Sequence, residues 1–161
     1  FLILDLPPGT GDIQLTLTQK IKMTGAIIVT TPQDIALSDV RKGADMFKKV
    51  NTPVLGVVEN MSGLFLSGNT NNPNSKIHIN NEELDIDVNG NFNINIDIFK
   101  KDGGQKESER LGVPLLGKIP LSKEIMNATD SGIPIVVSNS NQKTGEVYFS
   151  LADKVSKIVK L

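Results

Sequence analysis

The segment GAIIVTTPQDIALSDVRKGADMFKKVNTPVLGVVEN, residues 25–60, decides the fold class. Short apolar runs lie at its two ends, 25–31 and 53–60, and their residues do not alternate with polar ones. Such runs are typical of strands that are covered on both faces of a sheet. The residues between them include one apolar helical face: Leu37, Val40, Ala44 and Phe47. Asp34 is the predicted N-cap of this helix. A strand, a helix and a strand in this order predict a right-handed crossover within a parallel sheet.

The same alternation of apolar runs and helical stretches continues on both sides of this segment. An apolar run at 1–6 precedes a helical stretch at 12–23, and a strand is predicted at 113–120 between helices at 102–111 and 122–132. An apolar stripe marks a final helix: Tyr148, Leu151, Ala152, Val155, Ile158 and Val159. We therefore predict one α/β domain over residues 1–161, a parallel sheet with flanking helices.

Residues 67–98 interrupt this pattern. The stretch is rich in asparagine, and its apolar residues change to a spacing of two. Runs at 84–88 and 91–98 around Asn89-Gly90 predict a β-hairpin with a type I′ turn. Asparagine-rich tracts are also common as surface insertions without a function, and that interpretation stays open.

Composition limits the classes of partner. Lys and Arg number 17 against 18 Asp and Glu, so charge gives no argument for binding nucleic acid. The apolar runs are far shorter than the roughly 20 residues of a membrane span, so we predict no stable membrane insertion. The chain has no cysteine, which excludes thiolate ligands for a metal or cluster among these residues. His78 is the one histidine, and it is more typical of an exposed strand residue than of a metal ligand.

The loop DLPPGTGD, residues 5–12, carries the features of a phosphate-binding edge. Asp5 ends the first predicted strand, and ligands of parallel sheets bind where the strands end. A carboxylate at that place commonly orients a water bound to magnesium. Gly9 and Gly11 allow the backbone N–H groups to approach an anion. Asp12 either caps the next helix or polarises a water, and a plain strand-to-helix turn is the simpler interpretation of the whole loop.

Four segments in chain order resemble the Mrp/ApbC family: LILDLPPGTGDIQLTLTQ, TGAIIVTTPQDIALSDVRKGADMF, PVLGVVENMS and LGVPLLGKIPL. Members of this family are P-loop ATPases of the MinD/ParA class that act as iron–sulfur cluster carriers or scaffolds. The resemblance covers residues 1–66 and 99–160 and is strongest to the mitochondrial branch that serves complex I assembly. It implies the C-terminal part of a P-loop NTPase fold, ATP and magnesium as cofactors, a homodimer, and iron–sulfur recipient apoproteins as partners. It also implies a mitochondrial location, with the cytoplasm as the alternative.

The resemblance assigns roles to the residues of the opening loop. Asp5 matches the Walker B aspartate, which positions magnesium through a water. Gly9, Thr10 and Asp12 lie in the segment that resembles the second switch loop, which senses the γ-phosphate. We therefore expect Asp5 and Asp12 to be the catalytic residues of an ATPase.

The resemblance also assigns the residues of the adenine site. At two places the chain differs from the family pattern. Asn60 matches the asparagine that reads the adenine edge, and Pro120 matches a loop beside the base. No GxxxxGK[ST] phosphate loop occurs in the chain. We therefore expect this loop upstream of these residues, and we expect the chain alone to be inactive. Where relatives carry Cys-Pro-x-Cys this chain has Leu66, Ser67 and Gly68. Serine is a poor substitute for a thiolate, so we expect no iron–sulfur ligand here.

Two other functions compete with an ATP-dependent iron–sulfur assembly protein that switches a dimer. A positioning ATPase of the MinD/ParA kind would use a basic terminal helix, and the last helix does carry Lys154, Lys157 and Lys160. Its apolar stripe is more typical of a helix packed on a core. A non-enzymatic interaction protein could retain the scaffold and use the asparagine-rich insertion as its partner surface.

Overall fold

The computed structural model describes residues 1–7, 9, 11–79, 82–138 and 143–160, apart from the side chains of Glu82 and Lys143. Their helices and strands, in chain order, are α1 (Asp12–Lys20), β1 (Ala26–Thr30), α2 (Asp34–Lys49), β2 (Val54–Asn69), β3 (Lys76–Ile79), β4 (Glu82–Asp85), β5 (Asn91–Ile96), α3 (Gly103–Leu111), β6 (Leu115–Leu121), α4 (Lys123–Ser131), α5 (Ile135–Ser138) and α6 (Lys143–Ile158).

Strand β2 is the centre of the main sheet. It runs parallel to β1 on one side and to β6 on the other, with Glu59 aligned between Thr30 and Lys118. Further along, Leu64 pairs with Leu121 of β6 and with Ile96 of β5. Strand β5 therefore pairs with the same edge of β2 as β1 does, beyond the point where β1 ends. It runs antiparallel to β2. The predicted α/β class, a parallel sheet flanked by helices, is confirmed.

The two faces of the sheet are covered by different helices. Val57 of β2 belongs to a core with Ala44 and Phe47 of α2, whereas its neighbour Val58 belongs to a second core under α6. Consecutive strand residues point to opposite faces, so this split follows from the register. Leu37, Ala44 and Phe47 are buried as the helical spacing predicted. No helix in the described ranges is long and apolar enough to cross a bilayer.

Strand β1 departs from the prediction of a strand covered on both faces. Its residues alternate between buried and exposed, and Ile27 and Val29 are 40% and 58% exposed. In the described part of the chain, the helix with which β1 makes most contact is α2, and this helix covers only one face. The prediction was wrong for this strand because the spacing of residues within a run does not say how many layers will pack on it.

The predicted strand at 1–6 does not form. Residues 1–7 have no regular secondary structure, and Phe1 and Ile3 are more than four-fifths exposed. A strand needs a neighbour for its backbone hydrogen bonds, and no strand within the described residues pairs with this run. Leu6 does pack against the core of α2. Asp5 thus lies in an irregular segment and not at the end of a strand, which corrects its predicted position.

The insertion is packed, but its strands pair differently from the prediction. Strands β3 and β4 form one antiparallel hairpin, and β5 pairs with β2 instead of β4. At the turn, the N–H of Gly90 donates to the carbonyl of Asp87 at 3.0 Å and Gly90 has a φ of 80°. Asn89 is not left-handed, so the predicted type I′ turn is wrong, since that turn needs positive φ at both central residues. Ile86 and Ile94 of the insertion are buried.

Candidate functional site

The parallel ladder between β2 and β6 is interrupted directly after Asn60. Asn60 pairs with Ile119, but the next pair is Leu64 with Leu121, so three residues of β2 bulge opposite Pro120. Proline has no N–H and cannot continue a ladder. Within the bulge, Met61 and Gly63 adopt positive φ angles of 55° and 99°. Asn60 is therefore the last residue of β2 before the ladder to β6 is interrupted, at the edge of the sheet where the parallel strands end.

A buried carboxylate holds this bulge in place. Glu59 is 1% exposed, and its carboxylate accepts hydrogen bonds from the hydroxyl of Ser62 at 2.7 Å and from the N–H of Gly104 at 2.6 Å. Gly104 lies in the first turn of α3, where N–H groups have no partner within the helix and negative charge is favourable. A Cβ on Gly104 would lie 2.7 Å from the Cβ of Glu59. Glu59 thereby fixes both the bulge and the start of α3.

A second buried carboxylate joins two helices. Glu107 of α3 is 1% exposed and pairs with Arg41 of α2 at 3.3 Å and with Arg110 at 2.6 Å. The hydrogen bond with Glu107 raises the pKa of Arg110 above its usual value. Because the pair with Arg41 links α2 to α3 and the pair with Arg110 lies within α3, we assign this network a structural role.

A cleft of about 310 Å³, here called the edge cleft, lies between β2, β5, β6 and the segment 97–102 that leads from β5 to α3. Three lysines line it, and each pairs with an aspartate: Lys100 with Asp34, Lys101 with Asp97, and Lys118 with Asp102. The bond from Lys118 lowers the pKa of the Asp102 carboxyl, and the same bond raises the pKa of Lys118. Because its charges are paired, the edge cleft is not organised for an anion, and the pairs hold the chain that returns from the insertion.

A second cleft of about 250 Å³, here called the α6 cleft, lies between β2, β6 and α6. Its apolar walls are Phe65, Pro120 and Val147, and polar atoms come from Ser62 and Thr144, among others. Thr144 is 2% exposed, and its hydroxyl has no hydrogen-bond partner among the described residues.

Asp5, Gly9 and Asp12 of the predicted loop line neither cleft. Asp5 and Asp12 are exposed, and Gly9 has a φ of 97°. Thr10 lies outside the described residues. Asp12 is the first residue of α1, whose N-cap is Gly11 and has no side-chain cap bond. The alternative in which Asp12 caps the helix is therefore wrong.

The predicted N-cap of α2 is wrong for the same reason. The N-cap is Gln33, again without a side-chain hydrogen bond, and Asp34 is the next residue. Asp34 instead pairs with Lys100 at 2.9 Å.

A glutamine that sequence reasoning missed holds the opening loop. Gln14 of α1 is buried, and its amide donates to the carbonyl of Pro7 at 2.8 Å and to that of Gly9 at 3.3 Å. These bonds tie the loop to the helix that follows it. Nothing in the sequence distinguishes Gln14 from an ordinary exposed glutamine, so sequence reasoning could not find it.

The two predicted base-site residues lie on adjoining strands. Asn60 is half-buried in β2 beside Ile119, and Pro120 is the next residue of β6. Pro120 and Ser62 share the α6 cleft, whereas Asn60 lines neither cleft among the residues described. The structure thus brings the base residues close to one cleft. The roles assigned to Asp5 and Asn60 imply that both border one nucleotide site, and this stays a prediction.

His78 does not build a metal site. It is exposed on β3, with its Nε2 3.7 Å from a carboxylate oxygen of Glu83. Across the described ranges, no three His, Cys, Asp or Glu side chains are grouped so that they could hold a metal ion.

Comparison with known families identifies the scaffold. A protein-family model described as ParA, NUBPL iron-transfer P-loop NTPase, matches residues 1–86 and 79–156. The chain belongs to this family. The resemblance found in the sequence segments is thereby confirmed.

Curated relatives in this family carry iron–sulfur names. The iron–sulfur cluster carrier protein of Pseudomonas fragi is 42% identical over 152 residues, which cover 94% of this chain and 45% of that protein. The iron–sulfur protein required for NADH dehydrogenase, mitochondrial, of Arabidopsis thaliana is 38% identical over 99% of this chain and 44% of its own length. The mouse iron–sulfur cluster transfer protein NUBPL is 40% identical over 99% of this chain and 43% of its own length. The chain thus spans less than half the length of these relatives.

Solved structures agree with the fold. The cell division ATPase MinD of Pyrococcus furiosus is 23% identical with a TM-score of 0.55, over 84% of this chain and 43% of that one. A nucleotide-binding protein from Archaeoglobus fulgidus, solved with ADP, is 27% identical with a TM-score of 0.56, over 88% of this chain and 47% of that one. This family member therefore has the fold of MinD-like P-loop NTPases.

Proposed function

We propose that this chain is part of an ATP-dependent iron–sulfur assembly protein, and that it contributes the metal-organising aspartate, the second switch loop and the base-reading amide. The observation that carries the proposal is the family match over nearly the whole chain, together with Asn60 and Pro120 on adjoining strands at the carboxyl edge of a parallel sheet. Ligands of such sheets bind at that edge.

The residues present fit a magnesium ion only if a water lies between the ion and the protein. Asp5 is a single exposed carboxylate, which suits an oxygen ligand acting through water, and the described residues offer no complete set of ligands. Magnesium, when bound with ATP, neutralises phosphate charge. With both bound, Asp5 would orient a water of the metal, the loop with Gly9 and Thr10 would sense the γ-phosphate, and Asp12 would orient the attacking water or act as a switch residue.

The base is read by an amide on a rigid strand. An amide can both donate and accept, as the adenine edge requires. Asn60 is held by the ladder to β6 on one side, and the bulge that follows it is fixed by Glu59 and Ser62. Pro120 packs beside the ring.

The proposal requires a phosphate loop, because none of the 161 residues supplies GxxxxGK[ST]. Reading the complete gene tests this requirement, and a GKGGxGK[ST] segment is the expected result. The proposal also includes a homodimer that delivers clusters to recipient apoproteins. The proposed location is mitochondrial, and it rests on two relatives. The Arabidopsis thaliana relative is named as a mitochondrial protein required for NADH dehydrogenase, and the mouse relative is NUBPL. The cytoplasm is the alternative.

The cluster is the cargo of this protein, and these residues do not supply its ligands. The chain has no cysteine. Leu66, Ser67 and Gly68, which replace the thiolate motif, lie in β2 and are paired with β5 in a regular antiparallel ladder. Thiolates for a cluster must therefore come from outside these residues.

Anaerobic reconstitution with iron and sulfide tests the carrier role. For the 161-residue chain we expect no thiolate-to-iron charge-transfer absorption, and for the product of the complete gene we expect such a band. A band from the 161-residue chain would contradict the ligand argument. No band from the complete product would remove the carrier role and leave a nucleotide switch.

One alternative is favoured by a specific observation. The insertion forms strands and buries Ile86 and Ile94, and a structured surface of this kind suits the partner surface of a non-enzymatic interaction protein. A complete gene without the phosphate loop would support that alternative. The positioning ATPase is less well supported, because Lys154 of the basic helix donates to the carbonyl of Leu116 at 2.8 Å and so serves the fold.

A further inference from the structure

The α6 cleft is lined by Thr144, a polar residue whose hydroxyl the described residues leave unpaired. The hydroxyl of Thr144 is buried and has no hydrogen-bond partner within the described part of the chain. Buried polar groups are nearly always paired, and each exception calls for an explanation. Thr31 is the other buried hydroxyl without a partner, but it lines neither cleft. Thr144 therefore combines two properties: the residue lines a cleft, and none of the described residues pairs with its hydroxyl.

The walls of the α6 cleft suit a flat ring. Phe65 of β2, Pro120 of β6 and Val147 of α6 supply apolar surface from three elements, and polar atoms come from Ser62, Asn95 and Lys118. Its volume of about 250 Å³ is below the range of roughly 300–1,000 Å³ that is typical of pockets for drug-sized ligands. One heterocyclic ring system fits such a space better than a whole nucleotide.

We propose that Thr144 is a specificity-determining residue, whose hydroxyl forms a hydrogen bond with the purine ring of the bound nucleotide in the α6 cleft. Pro120 and Phe65 flank the ring. The proposal rests on the proposed function, because it requires that the chain bind an adenine nucleotide. A hydroxyl both donates and accepts, so it can meet either a ring nitrogen or the exocyclic amine.

Three variants of the complete gene product test this inference. Thr144→Val removes the hydroxyl and keeps the shape, Thr144→Ser keeps the hydroxyl, and Thr31→Val removes the other buried hydroxyl that has no partner. Binding of ADP and of adenosine is measured by calorimetry, and the melting temperature is measured without ligand. Adenosine isolates the base from the phosphate contacts.

We expect Thr144→Val to bind both ligands about 2- to 10-fold more weakly and to melt at a higher temperature without ligand, because an unpaired buried group has been removed. Thr144→Ser should bind within about 2-fold of the unmodified protein. Thr31→Val should melt higher with unchanged affinity. A fall in the melting temperature of Thr144→Val would overturn the inference, because the hydroxyl would then have a structural partner.

The two proposals fail in different ways. If the unmodified protein binds ADP and Thr144→Val binds it equally well, Thr144 does not contact the base and the proposed function stands. If the unmodified protein binds neither ADP nor adenosine, the proposed function fails and the inference fails with it.

Discussion

Replacing Glu59 with alanine is expected to lower the free energy of unfolding by about 3–4 kcal/mol. The buried carboxylate accepts hydrogen bonds from the N–H of Gly104 and the hydroxyl of Ser62, and alanine leaves both groups without that acceptor. The buried N–H of Gly104 left unpaired costs about 1–3 kcal/mol, and the half-buried hydroxyl of Ser62 adds a smaller loss. The loss is a large fraction of the total stability of a domain, which is about 5–15 kcal/mol. Urea unfolding measures it.

Two further variants locate the cause of this loss. Glu59→Gln keeps an acceptor for Gly104 and should cost only about 1–2 kcal/mol, because hydrogen bonds to a charged acceptor are stronger than those to a neutral one. Glu109→Ala in the same helix, where the side chain is exposed and bonded to Gln105, should change stability by less than about 0.5 kcal/mol. If Glu59→Ala unfolds within about 1 kcal/mol of the unmodified chain, the carboxylate does not hold the bulge and α3.

Replacing Asp5 with asparagine in the complete gene product is expected to lower the rate of ATP hydrolysis by about 100-fold. Removing one preorganised electrostatic group from a reaction site typically costs about 100- to 1,000-fold, and phosphoryl transfer depends almost entirely on positioning and charge stabilisation. Asp5 is exposed and in an irregular segment, so thermal stability should not change. Steady-state phosphate release measures the rate, and a melting curve checks the fold.

Asp39→Asn is the matched control for this experiment. Asp39 is an exposed aspartate of α2 that pairs with Lys42 on the same helix at 3.2 Å, and no role in the site is proposed for it. Its variant should hydrolyse ATP at the rate of the unmodified protein. Should Asp5→Asn also hydrolyse ATP within about 2-fold of that rate, Asp5 is not the Walker B aspartate.

The order of strands and helices could be predicted because it depends on local spacing. The apolar face of α2, with Leu37, Ala44 and Phe47, is buried as the helical period required. α4 also begins after Ser122, whose hydroxyl accepts from the N–H of Ile125, and ends at left-handed Gly132. Such capping signals act within a few residues of chain, so they can be seen in the sequence.

Features that depend on distant partners could not be predicted in the same way. The run at 1–6 has the composition of a strand but pairs with none in the described chain, and β5 pairs with β2 although its nearest neighbour in sequence is β4. Pairing is decided by which strand edges are available, which local patterns do not show. The error at Asn89-Gly90 has the same origin, because that turn joins strands that pair with other partners.

The candidate site was predicted in part for a related reason. Asn60 and Pro120 were assigned because they match motif positions of the family. Glu59 and Thr144 were missed because burial, and not residue type alone, makes them important. A carboxylate within the apolar run GVVEN was a visible signal for Glu59, whereas a threonine near the start of a helix gives no signal that its hydroxyl will lack a partner.

The most direct test of the central claim is a crystal structure of the complete gene product with magnesium and a non-hydrolysable ATP analogue. We expect the adenine ring beside Pro120 with the amide of Asn60 in hydrogen-bond contact, and the carboxylate of Asp5 in contact with a water bound to the metal. A nucleotide bound away from both strands, with Asn60 and Asp5 on opposite edges of the sheet, would contradict the account.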